Sequence, residues 1–208
     1  MDTSGQKIFT IGHSTHSAEA FLALLREHGV NAVADVRSSP YSQHNPQFNR
    51  ETLGRFLRAK QIHYVFLGQE LGARSDDRSC YENGQVQYAR LAQTALFQNG
   101  LERVLDGATR FRVALMCAEK EPLECHRTLL VAKALVERGQ AVAHIHGDGH
   151  LETHEDAMER LLGLTGLPHV DLYRSHEELI AEAMARQERL VAYVDYSLRT
   201  PSAREEST

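Results

Sequence analysis

The sequence predicts an α/β protein, with a mostly parallel central sheet of about five strands, helices on both faces and a helical C-terminal extension. Three observations carry that prediction. Short β-branched apolar runs alternate with stretches of helical periodicity. Glycine or proline closes most of these segments. No internal repeat or interdomain linker interrupts the alternation, so residues 1–197 read as a single α/β domain and 198–208 as a polar, disordered tail.

Each element follows from local chemistry. "KIFTIGHS" (7–14) is an apolar, β-branched run ended by Gly12 and reads as the first strand. "SAEAFLALLREHG" (17–29) reads as a helix. Ser17 is placed to cap it, Glu19 lies in its first turn, Gly29 stops it, and Phe21, Leu22, Leu24 and Leu25 form one apolar face. "VNAVADVRSSP" (30–40) is a second strand closed by Pro40, "NRETLGRFLRAK" (49–60) a helix, and "IHYVFLG" (62–68) a third strand. A loop rich in Gly, Asp and Ser runs from Gly68 to Gly84. "QVQYARLAQTALFQNGLERVLDG" (85–107) then reads as a helix with a possible break near Gly100. "FRVALMCAE" (111–119) is the fourth strand, "CHRTLLVAKALVERG" (125–139) a helix stopped by Gly139, and "AVAHIHGDG" (141–149) the fifth strand. "THEDAMERLLGL" (153–164) is helical, and Leu167 to Tyr196 reads as mainly helical.

Composition narrows the function classes. Hydrophobic residues make up 42% and charged residues 25%, within the range of a globular chain able to bury a core. A formal net charge of -5 argues against a wholesale nucleic-acid binder, although a local basic groove stays open. Cys80, Cys117 and Cys125 form an odd set with no disulfide framework. Neither a signal-peptide core nor a stretch of about 18 apolar residues is present, so no membrane partner and a reducing, cytoplasmic location are expected.

In open α/β sheets, ligands bind beyond the carboxyl ends of the strands. His13 and Ser14 follow the first strand, Asp35 and Arg37 end the second, Cys117 and Glu119 end the fourth, and His144 and His146 end the fifth. These ionisable groups are therefore expected to meet at one edge. In "MCAEKEPLECHR" (116–127), Pro122 suits the first turn of a helix. Cys125, Leu129, Ala132 and Val136 then share a face. Cys125 would point toward the sheet from a helix N-terminus, where exposed N–H groups favour anions and thiolates. His126 and Arg127 in the same turn imply a bound anion or a nearby carboxylate. Two readings stay open for Cys125, a nucleophile or a small hydrophobe in the core. The pair Asp35 and Arg37 is likewise either functional or a buried ion pair tying strand ends together.

Twelve histidines raise the question of a metal. His144, His146, His150 and His154, joined by Cys117, Cys125 or Glu119, would supply enough ligands. Cys117 and Cys125 stand eight positions apart, however, and no HExxH occurs, so no metal and no cofactor are expected. The P-loop, GxGxxG, GxSxG and Cys-x5-Arg patterns are absent.

Several motifs together resemble one family. They are "TIGHS" (10–14), "DVRSSPYS" (35–42) with "PQF" (46–48), Tyr64 with "LGQELG" (67–72), "MCAEKEPLECHR", and "HIHGDG" (144–149) with His154. The pattern is similar to DUF488, a group of mostly bacterial proteins of unknown function, and extends along nearly the whole chain. The resemblance implies a compact α/β domain and marks His13, Ser14, Asp35, Arg37, Cys117, Glu119, Cys125, His126, Arg127 and His144 as motif positions. It implies no particular activity.

The expected function is a hydrolase or transferase acting on a small anionic or nucleotide-like substrate. Cys125, Glu119, Asp35 and His13 are the catalytic candidates. Ser14, Arg37, Cys117, His126, Arg127 and His144 are the substrate-binding ones. The alternative is a non-catalytic nucleotide- or nucleic-acid-binding module in DNA repair or regulation, in which the same Arg and His residues contact phosphates.

Overall fold

The computed structural model describes residues 7–199. Strand β1 (Ile8–Gly12) leads through helix α1 (Ala18–Glu27) to β2 (Ala32–Asp35), then through α2 (Arg50–Ala59) to β3 (His63–Phe66). The short helix α3 (Gly68–Leu71), the hairpin strands β4 (Tyr81–Glu82) and β5 (Gln85–Val86), and helix α4 (Tyr88–Ala92) precede the long α5 (Ala95–Ala108). Strand β6 (Val113–Cys117) is followed by a π-helical segment, Arg127–Ala132, that continues into α6 (Lys133–Val136). Strands β7 (Val142–Ile145) and β8 (Leu151–Thr153) and helices α7 (His154–Leu164) and α8 (His176–Val191) complete the fold.

The main sheet has the order β3-β2-β6-β1-β7-β8. All neighbours run parallel except β7 and β8, which are antiparallel. Side chains of β6 alternate between two cores. Val113, Leu115 and Cys117 face α5, α6 and α8, whereas Ala114 and Met116 face α1 and α2. Both faces are thus covered, as a parallel sheet requires. On α1, Phe21 and Leu25 are fully buried, each worth about 1.5–3 kcal/mol over exposure. Helix α1 leaves β1 on one face and the helical segment after β6 leaves on the other. The adjacent carboxyl ends of β1 and β6 therefore flank the crevice where such sheets bind ligands.

Ser17 caps α1 by accepting from Ala20 N–H, and Gly29 ends it with φ of 64°, as its composition predicts. Other details differ from the sequence expectations. The 85–107 stretch begins as strand β5, and its helix breaks at Gln93–Thr94, where the Thr94 hydroxyl caps α5. Gly100 lies inside an unbroken helix. A Cβ there would stand 2.7 Å from Glu70 and 2.8 Å from Leu71, so glycine admits close packing of α3. Strand β8 was not legible. It turns back on β7 through Gly149, whose φ is 88°. Pro122–Glu124 form a separate 3-10 turn, and the chain between Leu167 and Ser175 is not helical. The expected tail at 198–208 lies, from residue 200 onward, outside the described residues. Among the described residues no helix is long and apolar enough to cross a membrane.

Candidate active site

The carboxyl end of β2 holds a buried ion pair. Asp35 is fully buried and Arg37 is 4% exposed. Asp35 Oδ1 accepts from Arg37 Nε at 2.9 Å and from Arg37 N–H at 3.1 Å. Its Oδ2 accepts from Arg37 Nη2 at 2.6 Å and from the Tyr64 hydroxyl at 2.7 Å. Nη2 also donates to Phe48 O, and Nη1 donates to His13 Nε2 at 3.1 Å. A guanidinium has five N–H bonds, so one on Nη1 stays available to a ligand. Burial and the Arg37 charge push the His13 pKa down to about 4. His13 Nδ1 donates to Ser14 O at 2.9 Å, and the ring stacks on Phe48. His13 and Asp35 therefore hold Arg37, and neither presents a free basic atom.

A second cluster forms where the loop after β6 folds across β1. A Cβ at Gly12 would lie 1.9 Å from Glu119 O, so only glycine permits this crossing. Arg127 fastens the loop from beneath, donating from Nη1 to Glu119 O at 2.7 Å and from Nη2 to Lys120 O at 3.2 Å. After the 3-10 turn Cys125 is extended (φ -140°, ψ 140°). Its carbonyl accepts from Thr128 and Leu129 N–H, and its Sγ accepts from Arg127 N–H at 3.4 Å. Cys125 thus acts as the cap of the following helical segment, with sulfur in the place of the usual side-chain oxygen.

Around that cap, Cys117 Sγ lies 3.7 Å and Cys125 Sγ 3.8 Å from His126 Nδ1. Cys125 Sγ and Glu119 Oε2 share a hydrogen bond at 3.0 Å, and His126 Nε2 donates to Val36 O at 3.0 Å. Burial drives the Cys117 thiol well above its ordinary pKa. At Cys125 burial acts in the same direction, but hydrogen bonding with Cys117 and the fields of Arg127 and His126 outweigh it and hold the thiol well below. Burial would lower His126, yet the Cys125 charge raises it. Glu119 is raised, chiefly by burial and then by Cys125.

Both clusters open on one cavity of about 290 Å³, lined by Arg37, Cys117, Glu119, Cys125 and His126 together with Arg74, Tyr88 and Tyr193. A neighbouring depression is lined by His13, Ser14 and Arg37. Three of the predicted residues line neither cavity: Asp35, fully buried behind Arg37 and so not placed for catalysis, and Arg127 and His144. Arg127 is fully buried with its guanidinium on backbone carbonyls and does not line the cavity, contrary to an anion-holding role. His144 is buried between Thr10 (2.8 Å) and His154 (3.2 Å) and lines none of these cavities. His146, just past the end of β7, is paired with Glu152, so His144 and His146 do not gather with Cys117 and Cys125.

Sequence reasoning missed Arg74, Tyr88 and Tyr193. The long loop after β3 was the available signal for Arg74, since loops at strand ends carry function. The Arg74 guanidinium lies 4.5 Å from the centroid of the Tyr193 ring. Tyr88 opens α4 and Tyr193 follows the end of α8, and neither segment has a distinguishing pattern.

The fold and site define a class: an α/β protein with a polar, cysteine-floored cavity at the carboxyl ends of its parallel strands. The chain belongs to the family described as "Domain of unknown function DUF488", which matches residues 17–134, more than half of its 208 residues. The motifs at 35–72 and 116–127 lie within that span, and those at 10–14 and 144–154 lie outside it. No curated protein and no solved structure matches the chain.

Proposed function

We propose that the protein is an enzyme, a hydrolase or transferase, acting on a small anionic or nucleotide-like substrate. One observation carries this reading. A single cavity presents two arginines, Arg37 and Arg74, opposite a Cys-His-Glu cluster. Arg37 is held by its ion pair to Asp35, with one N–H to spare, and Arg74 stands on the exposed rim. In this reading the arginines bind the substrate's anionic group and Cys125 sulfur attacks its electrophilic atom. The leaving group departs with a proton supplied by Glu119 or His126. Water, or a second acceptor, then takes the transferred group from sulfur.

Iodoacetamide labelling of chelator-treated protein near neutral pH tests it. Cys125 should be alkylated before Cys80, and inorganic phosphate or a nucleoside monophosphate should slow that reaction. Arg37→Met should abolish the slowing. Reaction at Cys80 with Cys125 untouched would remove the nucleophile. Nucleic-acid affinity with a steep salt dependence, and no effect of small anions, would favour the non-catalytic binding module instead.

A further inference from the structure

We infer that Cys117, Cys125 and His126 form a three-ligand site for a borderline-soft divalent cation of the zinc type, with its fourth position open to the cavity. Binding of the metal follows from geometry, while its chemical use rests on the anion-substrate reading above, with a metal-bound water in place of Cys125 as the nucleophile, because a ligating thiolate is not free to attack. The three donor atoms all lie within 4.8 Å of one another, and among the described residues no other histidine, cysteine and carboxylate group meets that condition. In a tetrahedral zinc centre with sulfur at about 2.3 Å and nitrogen at about 2.0–2.1 Å, adjacent S and N atoms stand about 3.6 Å apart. The observed separations of 3.7 and 3.8 Å need only small shifts to reach that value.

The imidazole is already oriented as a ligand. Val36 O lies 3.0 Å from His126 Nε2, and a carbonyl only accepts. The proton of a neutral ring is therefore fixed on Nε2, and the Nδ1 lone pair faces the two sulfurs. A backbone carbonyl on the far nitrogen is the usual outer partner of a metal-bound histidine. The backbone is also set beforehand. Cys117 ends a central strand, Cys125 is locked as a helix cap, and His126 opens a buried helical segment. Two thiolates cancel a divalent charge, so loading leaves the buried site neutral. That removes the cost of ionising either thiol alone in a dry site.

Three protein ligands rather than four mark a reactive centre rather than a structural one. The open position faces a cavity that also holds Arg37 and Arg74. Glu119 Oε2 lies 3.0 Å from Cys125 Sγ, is not one of the three donors, and lines the same cavity as they do. Thiolate and imidazole donors select zinc or cobalt over magnesium or calcium. The eight-residue spacing in sequence carries no such signal. The 3-10 turn and the Gly12 crossing bring the two sulfurs together.

Titration of the chelator-treated full chain with Co(II) tests the site. One equivalent should produce thiolate-to-cobalt charge-transfer absorption together with intense tetrahedral visible bands, and Zn(II) should bleach them. X-ray absorption of the zinc-loaded protein should show two sulfurs at about 2.3 Å and one nitrogen at about 2.0 Å. Cys117→Ser, Cys125→Ser and His126→Ala should each weaken Co(II) binding by at least about 100-fold, with Cys80→Ala unchanged. The absorption measurement needs no variant and so decides the case even if these variants misfold. A sulfur-free shell, no thiolate band at excess Co(II), or a band that persists in folded Cys125→Ser would overturn the site. If zinc fails to bind while phosphate still protects Cys125 from iodoacetamide, only the metal site is lost. If zinc binds through two sulfurs and phosphate has no effect, the metal site stands and the anion reading is lost.

Discussion

Replacing Asp35 with asparagine changes one atom type in a fully buried side chain. Asp35 accepts four hydrogen bonds, three from Arg37 and one from Tyr64. Asparagine keeps the Oδ1 acceptor for Arg37 N–H and Nε. It turns Oδ2 into an NH₂ group that faces the Arg37 Nη2 donor and the Tyr64 hydroxyl. The Nη2 contact at 2.6 Å is charge-assisted, a class worth about 1.5–3 kcal/mol. Its loss also leaves a guanidinium that is 4% exposed without a countercharge. Breaking a buried pair from one side costs about 3–5 kcal/mol, a large part of the roughly 5–15 kcal/mol of a typical domain. Urea denaturation should therefore show a lower midpoint for Asp35→Asn with an unchanged slope. Arg37→Met removes the other partner. Because the double variant buries no orphan charge, the two losses should fall short of additivity by at least about 2 kcal/mol. A loss below about 1 kcal/mol for Asp35→Asn, or additivity within about 0.5 kcal/mol, would refute the clamp.

Three further outcomes are expected. Gly100→Ala should lower the melting temperature, because overpacking against Glu70 and Leu71 at 2.7–2.8 Å outweighs the roughly 1 kcal/mol gain in helix propensity; a rise would contradict the close packing of α3 on α5. Gly12→Ala sets a Cβ 1.9 Å from Glu119 O and should cost about 3 kcal/mol or more, and near-wild-type thermal stability would show that the loop after β6 yields freely. Burial and neighbouring charges (His154, Arg127, His146 and Arg160) hold His144 below its ordinary pKa of 6.5, while burial and Lys133 lower His154 against the pull of Glu155. Both are neutral in the fold and protonate more readily when unfolded. Their contribution is therefore present above about pH 6.5 and falls by about 1.4 kcal/mol per pH unit per histidine below it, until the folded values are reached. Urea midpoints at about pH 7.5 and about pH 5 should converge in His154→Gln, and an unchanged pH slope would contradict this assignment.

The elements legible in the sequence are those decided within a few residues. The continuous apolar runs of β1 and β6, buried at every position, the Ser17 cap and the Gly29 stop depend on local composition and hydrogen bonding alone. So does the ordering of strand and helix that makes a parallel sheet. That topology also brought His13, Arg37, Cys117 and Glu119 to one edge, because each ends or follows a parallel strand. The rest depends on partners remote in sequence. Strand β8 exists only because β7 offers it an edge. Gly100 is a site of contact rather than a break because α3 packs there. Arg127 points inward because the loop it fastens crosses Gly12, and that same crossing seats Cys117, Cys125 and His126 together despite an unpromising spacing. Arg74, Tyr88 and Tyr193 reach the cavity from segments with no pattern of their own. Periodicity records which face of an element is buried, but it carries no information about which distant backbone will press against that face. In this protein that contact determines which ionisable side chains line a cavity and which merely hold the fold.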